Sequence, residues 1–356
     1  MNEFDSESHP GAADDDARRL GKLGYKQELA RRLSGFSNFA ISFSIICILA
    51  GGVSSFHLGL SSVGGASIGL GWPLVALFSL AVAATMGQLA SAFPTAGGLY
   101  HWASILGGRG WGWATAWFNL AGLVTVLAAI NVGTFRTAAT ALGYVGEETW
   151  GMHLAQILVV LAITTSQAAI NHLGIGVTAK LTDFSGYWIL AVSALLAACL
   201  LAFAPSLDVA RLVTFDNFSG PAGGGVWPAT TNPALLFALG ALLPAYTITG
   251  FDASAHASEE TLSASETVPR GIVRSVWISG LAGWALLSAV VLAAPSLSEA
   301  AAQGEGAFPW ILHGVFPTWM AAAFAAGIVI AQYLCGLATV TSTSRMAFAF
   351  ARDGGL

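Results

Sequence analysis

Charge is what this sequence has least of. Only 9% of its 356 residues are Asp, Glu, Lys or Arg, while 55% are hydrophobic. Soluble domains carry about 25% charged residues, and so few charges cannot cover the surface of a soluble protein this large. With a mean hydropathy of +0.69, the composition excludes an ordinary soluble domain and indicates an integral membrane protein. Cysteine is also scarce. Cys47, Cys199 and Cys335 all sit in apolar stretches, and there is no C-x-x-C pair or His/Cys cluster. Neither a disulfide framework nor a zinc site is expected, and the three read as small buried hydrophobes. No Walker A, H-E-x-x-H or G-x-S-x-G motif is present. An ATP motor, an enzyme, a metal and a cofactor are therefore not expected, and nothing points to a nucleic-acid partner. The chain has no early apolar run, so no signal peptide is read. Residues 1–35 read as a disordered cytoplasmic tail. Within it, "RRLGKLGYKQELARRLSGF" (18–36) can form a short basic interfacial helix.

What is present is a series of apolar runs near the 20 residues or so that a helix needs to cross the hydrocarbon core. Eight are expected to span, roughly 36–58, 70–92, 111–137, 152–172, 178–203, 233–257, 272–295 and 318–350, making 36–356 one transmembrane domain. Unbroken apolar runs exclude a β-barrel. With the N-terminus inside, 12 of the 14 Lys and Arg residues fall on the inner side, leaving Arg136 and Arg211 outside. The positive-inside rule thus predicts a cytoplasmic N-terminus and a multi-pass protein of the cell membrane.

Three of these spans carry residues that weaken a helix. The first, "NFAISFSIICILAGGVSSFHLG" (38–59), contains Ser42, Ser44 and the pair Gly51–Gly52. The sixth contains Pro244 and Gly250, with Thr247 and Thr249 between them. The eighth carries four consecutive hydroxyl residues, Thr341 to Ser344. Proline removes a helix hydrogen bond and glycine tolerates the resulting backbone. Freed backbone groups in a bilayer must be buried in protein or face water. Broken helices at corresponding places in two halves mark a transporter site, and spans one and six are five apart, as a five-plus-five inverted repeat requires. Asp252 lies just past the second expected break. An ionisable group there can hold a cation, carry a proton or pair with a substrate ammonium; it can equally cap the following half-helix. His256 lies one turn on and can couple to it.

The stretches "GFSNFAISFSIICILAGG" (35–52), "SAFPTAGGLYHWAS" (91–104), "GFDASAHASEET" (250–261), "VPRGI" (268–272) and "TSRMAFAFARDGG" (343–355), in this order, resemble the amino acid–polyamine–organocation superfamily. The likeness is to its amino acid/choline transporter branch. It implies an all-α membrane protein with the leucine-transporter inverted-repeat fold, whose first and sixth helices hold the substrate at their broken middles. Carried over, the substrate-binding residues are Ser42, Ser44, Ile45, Cys47, Gly51 and Gly52 in the first helix. In the sixth they are Tyr246, Thr247, Thr249, Gly250 and Phe251, with Tyr246 or Phe251 as the gating aromatic. The coupling site for H+ or Na+ draws on Asp252, Thr341, Ser342, Ser344 or Lys180. A salt bridge from Lys180 to Asp183 is the plainer reading of that lysine. Arg109, Arg270 and Arg345 are expected to pair with Glu259, Glu260 or Glu266 at the inner side. Such families continue for about four more helices, so the fold is expected to be truncated after the eighth. The function implied is a secondary permease for small amino acids or γ-aminobutyric acid (GABA), ion-coupled or exchanging. The alternatives are a choline or polyamine permease, or a non-transporting sensor.

Overall fold

The computed structural model describes residues 12–144 and 150–356; residues 1–11 of the tail and 145–149 of the expected outer loop 138–151 lie outside it. Among the described residues the secondary structure is helical, with a single parallel bridge between Leu33 and Thr261. After a short helix α1 (Ala12–Lys22), the first membrane helix comes in three pieces, α2 (Gly35–Ile46), α3 (Gly51–Ser54) and α4 (Phe56–Val63). Then follow α5 (Trp72–Ala92), α6 (Leu99–Gly107), α7 (Arg109–Ala141), α8 (Trp150–His172) and α9 (Ile175–Phe203). The sixth span is also in pieces, α10 (Pro233–Gly240), α11 (Leu242–Thr247) and α12 (Ala253–His256). It is followed by α13 (Ala264–Ala293), the short helices α14 (Leu297–Ala302) and α15 (Ala307–Val315), and the long α16 (Thr318–Arg352). Among the described residues seven segments are long and apolar enough to cross a membrane, and Pro233–Thr247 is a shorter apolar helix.

Local chemistry sets several boundaries. The Ser34 side chain accepts from the Ser37 amide at the start of α2, and the Asn232 side chain accepts from the Ala234 and Leu235 amides at the start of α10. Both satisfy donors that a helix start leaves unpaired. Pro244 has no amide to offer, and the helix resets at Ala241, between α10 and α11.

The first span is the most deeply buried of the candidate spans and α8 the most peripheral. The α2 segment packs against α9, α13 and α16, while α13 lies along α5 and α16 along α7. Side chains such as Leu77, Phe78, Trp111, Leu158 and Trp277 are exposed on the outer surface. That is the arrangement of a bundle whose outside meets hydrocarbon. Amides hold α8 in place: Asn131 and Gln167 bond each other at 3.0 and 3.1 Å, and Gln167 also donates to the Tyr333 carbonyl at 3.0 Å. Polar side chains of this kind join helices where there is no hydrophobic force between them.

The N-terminal tail departs from the sequence expectation of disorder. Leu20 and Leu33 are fully buried. Arg31 donates to the Ser258 and Thr261 carbonyls at 3.0 and 2.7 Å, and the amides of Arg32 and Leu33 donate to Glu260. Composition marked this segment as polar. What it could not mark is that the broken sixth span leaves carbonyls that this strap satisfies.

Candidate functional site

In the first membrane helix the regular backbone stops at Ile46 and resumes at Gly51, with Cys47 at φ 22°. In the sixth span the irregular stretch is Ile248–Asp252, with Gly250 at φ 86°. The two breaks meet. A Cβ on Gly51 would lie 2.9 Å from the Thr247 Cα, and a Cβ on Gly250 would run into Ile45. Each broken helix thus presents a glycine to the other, and the close crossing needs both. Replacing Gly250 with alanine puts a side chain in a left-handed conformation costing about 1–2 kcal/mol and displaces Ile45. Uptake at matched protein level is expected to fall about tenfold for Gly250→Ala, 1.4 kcal/mol being one decade, and further for Gly250→Leu. Equal activity of the two variants would argue against a glycine-dependent break.

Between the breaks, α7 and α16 enclose a cavity of about 360 Å³. Of the residues the sequence pointed to, Ile45, Gly51, Tyr246, Thr247, Thr249, Gly250 and Asp252 line it. Asn119 of α7 and Cys335 of α16 line it too, and sequence reasoning did not single them out for this site. A lone amide in the apolar run "TAWFNLAGLV" was the available signal for Asn119. Ser42, Ser44, Cys47, Gly52 and Phe251 are not in the wall. Ser42 instead joins the two broken helices, its hydroxyl donating to the Phe251 carbonyl at 2.8 Å and accepting from the Ser254 amide at 2.8 Å. The Ser254 hydroxyl donates to the Asn38 carbonyl at 2.9 Å. Ser44 is buried with its hydroxyl unpartnered, and Gly52 faces Leu287. The Gly51 and Gly52 amides donate within the break, to the carbonyls of Cys47 and Ile48.

Asp252 makes no capping hydrogen bond to α12. Its Oδ2 instead lies 3.4 Å from Asn119 Nδ2 and 3.6 Å from His256 Nε2. His256 is buried, and its Nδ1 faces the Ala96 carbonyl at 3.1 Å. A carbonyl only accepts, so Nδ1 carries the hydrogen. Nε2 then needs a second proton to face the carboxylate favourably; without it two sets of lone pairs oppose each other. Asp252 and His256 thus form a place where one proton, or another cation, is wanted.

The expected coupling residues are dispersed. Lys180 is exposed on α9, and no ion pair joins it to Asp183, which accepts from Ser37 Oγ at 3.0 Å. On α16, Thr341 donates to Asn171 Oδ1 at 2.7 Å and Ser344 to the Thr341 carbonyl at 2.8 Å. Ser342 is buried with an unpartnered hydroxyl. The end of the bundle carrying α1 holds a set of paired charges. Arg345 grips Glu260 at 2.8 and 3.1 Å, and Arg352 grips Glu259 at 2.8 and 2.9 Å. Arg270 reaches Glu266 at 3.5 Å. The sequence expectation for Glu259 was a different arginine, and among the described residues no ion pair involves Arg109. Tyr25 of the strap lies under the Arg352 guanidinium, 4.5 Å from the ring centre, and donates to Asp353 at 3.1 Å. Burial and the neighbouring Asp353 push the Tyr25 hydroxyl up to about 12. Burial alone would raise Asp353, but hydrogen bonds from His101 and Tyr100 outweigh it and hold the carboxyl below its ordinary value.

Two discontinuous membrane helices crossing at their breaks, around a cavity with one carboxylate and with buried ion pairs at one end of the bundle, define the architecture of a membrane permease. The family model described as amino acid permease matches residues 33–356, and the chain belongs to that family. It is 34% identical to the amino-acid permease BAT1 of Arabidopsis thaliana, over 95% of this chain and 68% of that protein. It is likewise 34% identical to the BAT1 homolog of rice, over 97% of this chain and 69% of the relative. The GABA-specific permease of Saccharomyces cerevisiae is 29% identical over 96% of this chain and 60% of its own length.

Proposed function

We propose that this permease carries small amino acids or GABA across the cell membrane, with the cavity between the two breaks as the substrate site. The basic end, with the N-terminus, faces the cytoplasm. The observation that carries the reading is Asp252: a carboxylate in a largely apolar cavity, whose partners are an amide at 3.4 Å and an imidazole at 3.6 Å. Such a group wants a cation, and a substrate ammonium supplies one with N–H donors directed at the carboxylate. Tyr246 stands at the wall as the aromatic that closes over the substrate. Asp252 and His256 together carry a coupling proton.

The test is uptake into liposomes containing the purified protein. Labelled GABA, alanine, glutamate, arginine and choline are compared, each with and without proton and sodium gradients. GABA and alanine are expected to accumulate in response to a proton gradient, and choline, which has no N–H to give Asp252, is not. Accumulation of choline alone would replace this reading with that of a choline permease, and a response to sodium alone would move the coupling site to the hydroxyls of α16.

A further inference from the structure

Two of the three cysteines, which the sequence presents as unrelated small hydrophobes, come together in the fold. Cys47 is the first residue of the break in the first membrane helix, held at φ 22°, where side-chain-bearing residues stay only if their surroundings fix them. Cys335 sits on α16 in the cavity wall. Both are fully buried. Each thiol reaches the backbone beside the other: Cys335 Sγ is 3.4 Å from the carbonyl of Ile45, and Cys47 Sγ is 3.9 Å from the carbonyl of Ala331. The two thiols thus lie across the same contact between the first-helix break and α16. Buried cysteines are ordinarily inert, but Cys335 stands in the wall of the cavity, the side from which a small neutral oxidant can approach as the bundle moves.

We propose that Cys47 and Cys335 are an oxidisable dithiol whose disulfide staples the first-helix break to α16 and arrests the permease. With a neutral azo oxidant such as diamide, the Cys335 thiol adds to the N=N bond, its sulfur forming an S–N bond and its proton passing to the other nitrogen. The Cys47 sulfur then attacks that sulfur, its proton going to the departing nitrogen; the S–N bond breaks and the S–S bond forms. Two electrons and two protons leave with the oxidant as a hydrazine. For the cavity to open to one side and then the other, the dihedrals of Cys47–Ala50 have to change, and a covalent link from Cys47 to α16 prevents it. The arrest rests on the cavity being the transport site; the bond does not.

The full chain in liposomes is treated with diamide, alkylated, digested and analysed by mass spectrometry, and labelled alanine uptake is measured in parallel. A linked peptide pair containing Cys47 and Cys335 is expected, with uptake lowered at least fivefold and recovered with dithiothreitol. In Cys47→Ser and in Cys335→Ser the ratio of oxidised to reduced uptake is expected to stay near one, whatever the starting rate. Cys199→Ser is expected to behave like the parent. If both thiols remain alkylatable after diamide, the dithiol is refuted. If the linked peptide forms and uptake is unchanged, the arrest is refuted. If the untreated protein moves no substrate, the permease reading fails with the arrest, while the mass spectrum still decides the bond.

Discussion

Replacing Asp252 with asparagine is expected to lower kcat/KM for amino acid uptake about 10- to 100-fold while leaving membrane insertion intact. The substitution keeps the shape and removes the charge. A hydrogen bond to a charged group is worth about 1.5–3 kcal/mol, and 1.4 kcal/mol is one decade. Folding should be spared because the carboxylate makes no capping bond to α12, and an amide in its place can still accept from Asn119. The pH dependence should change as well, since the carboxylate that faces His256 Nε2 is gone. The check is initial-rate uptake between about pH 5 and 8 at matched protein amounts. Normal kinetics across that range would remove Asp252 from both substrate binding and coupling.

The second large effect is expected at the ion-paired end. Glu259 has a fully buried side chain and Arg352 one that is 13% exposed; they bond at 2.8 and 2.9 Å. Removing one partner of a buried pair leaves a bare charge and costs about 3–5 kcal/mol. Arg352→Met should therefore lower thermal stability and yield markedly, and it should also release Tyr25, which the guanidinium covers. Glu259→Gln with Arg352→Met should recover most of the stability, because the surviving amide is neutral and can still accept from the Ala96 amide that now bonds Glu259 at 3.1 Å. Thermal melting in detergent separates the three proteins. An Arg352→Met melt equal to the parent would mean the pair does not hold this end together.

Much of the fold was written in local sequence, but unevenly. The sixth-span break was legible because Pro244 and Gly250 each act on the backbone at their own position. The break in the first helix was bracketed by its signals but not located by them. Ser42, Ser44 and Gly51–Gly52 marked the span, and the irregular residues Cys47–Ala50 lie between them, none of which favours leaving a helix. Gly51 is small because Thr247 lies against it, a requirement made by the other half of the chain. Asn119 and Arg352 went unassigned for the same reason. An amide in an apolar run is visible, but that it faces Asp252 depends on a partner 133 positions away. Arg352 finds Glu259 across 93 residues. The candidate coupling residues on α16 stand in one run of hydroxyls and were visible for that reason, whereas the exposure of Lys180 depends on how α9 is rotated, which an apolar helix does not declare.

The most direct measurement is a cryo-EM map of the protein with alanine or GABA bound. Substrate density is predicted between Cys47–Gly51 and Ile248–Asp252, with its ammonium within hydrogen-bonding distance of the Asp252 carboxylate. Two continuous helices through residues 35–63 and 233–256, with the Asp252 side chain turned to the acyl chains and the substrate bound elsewhere, would contradict it.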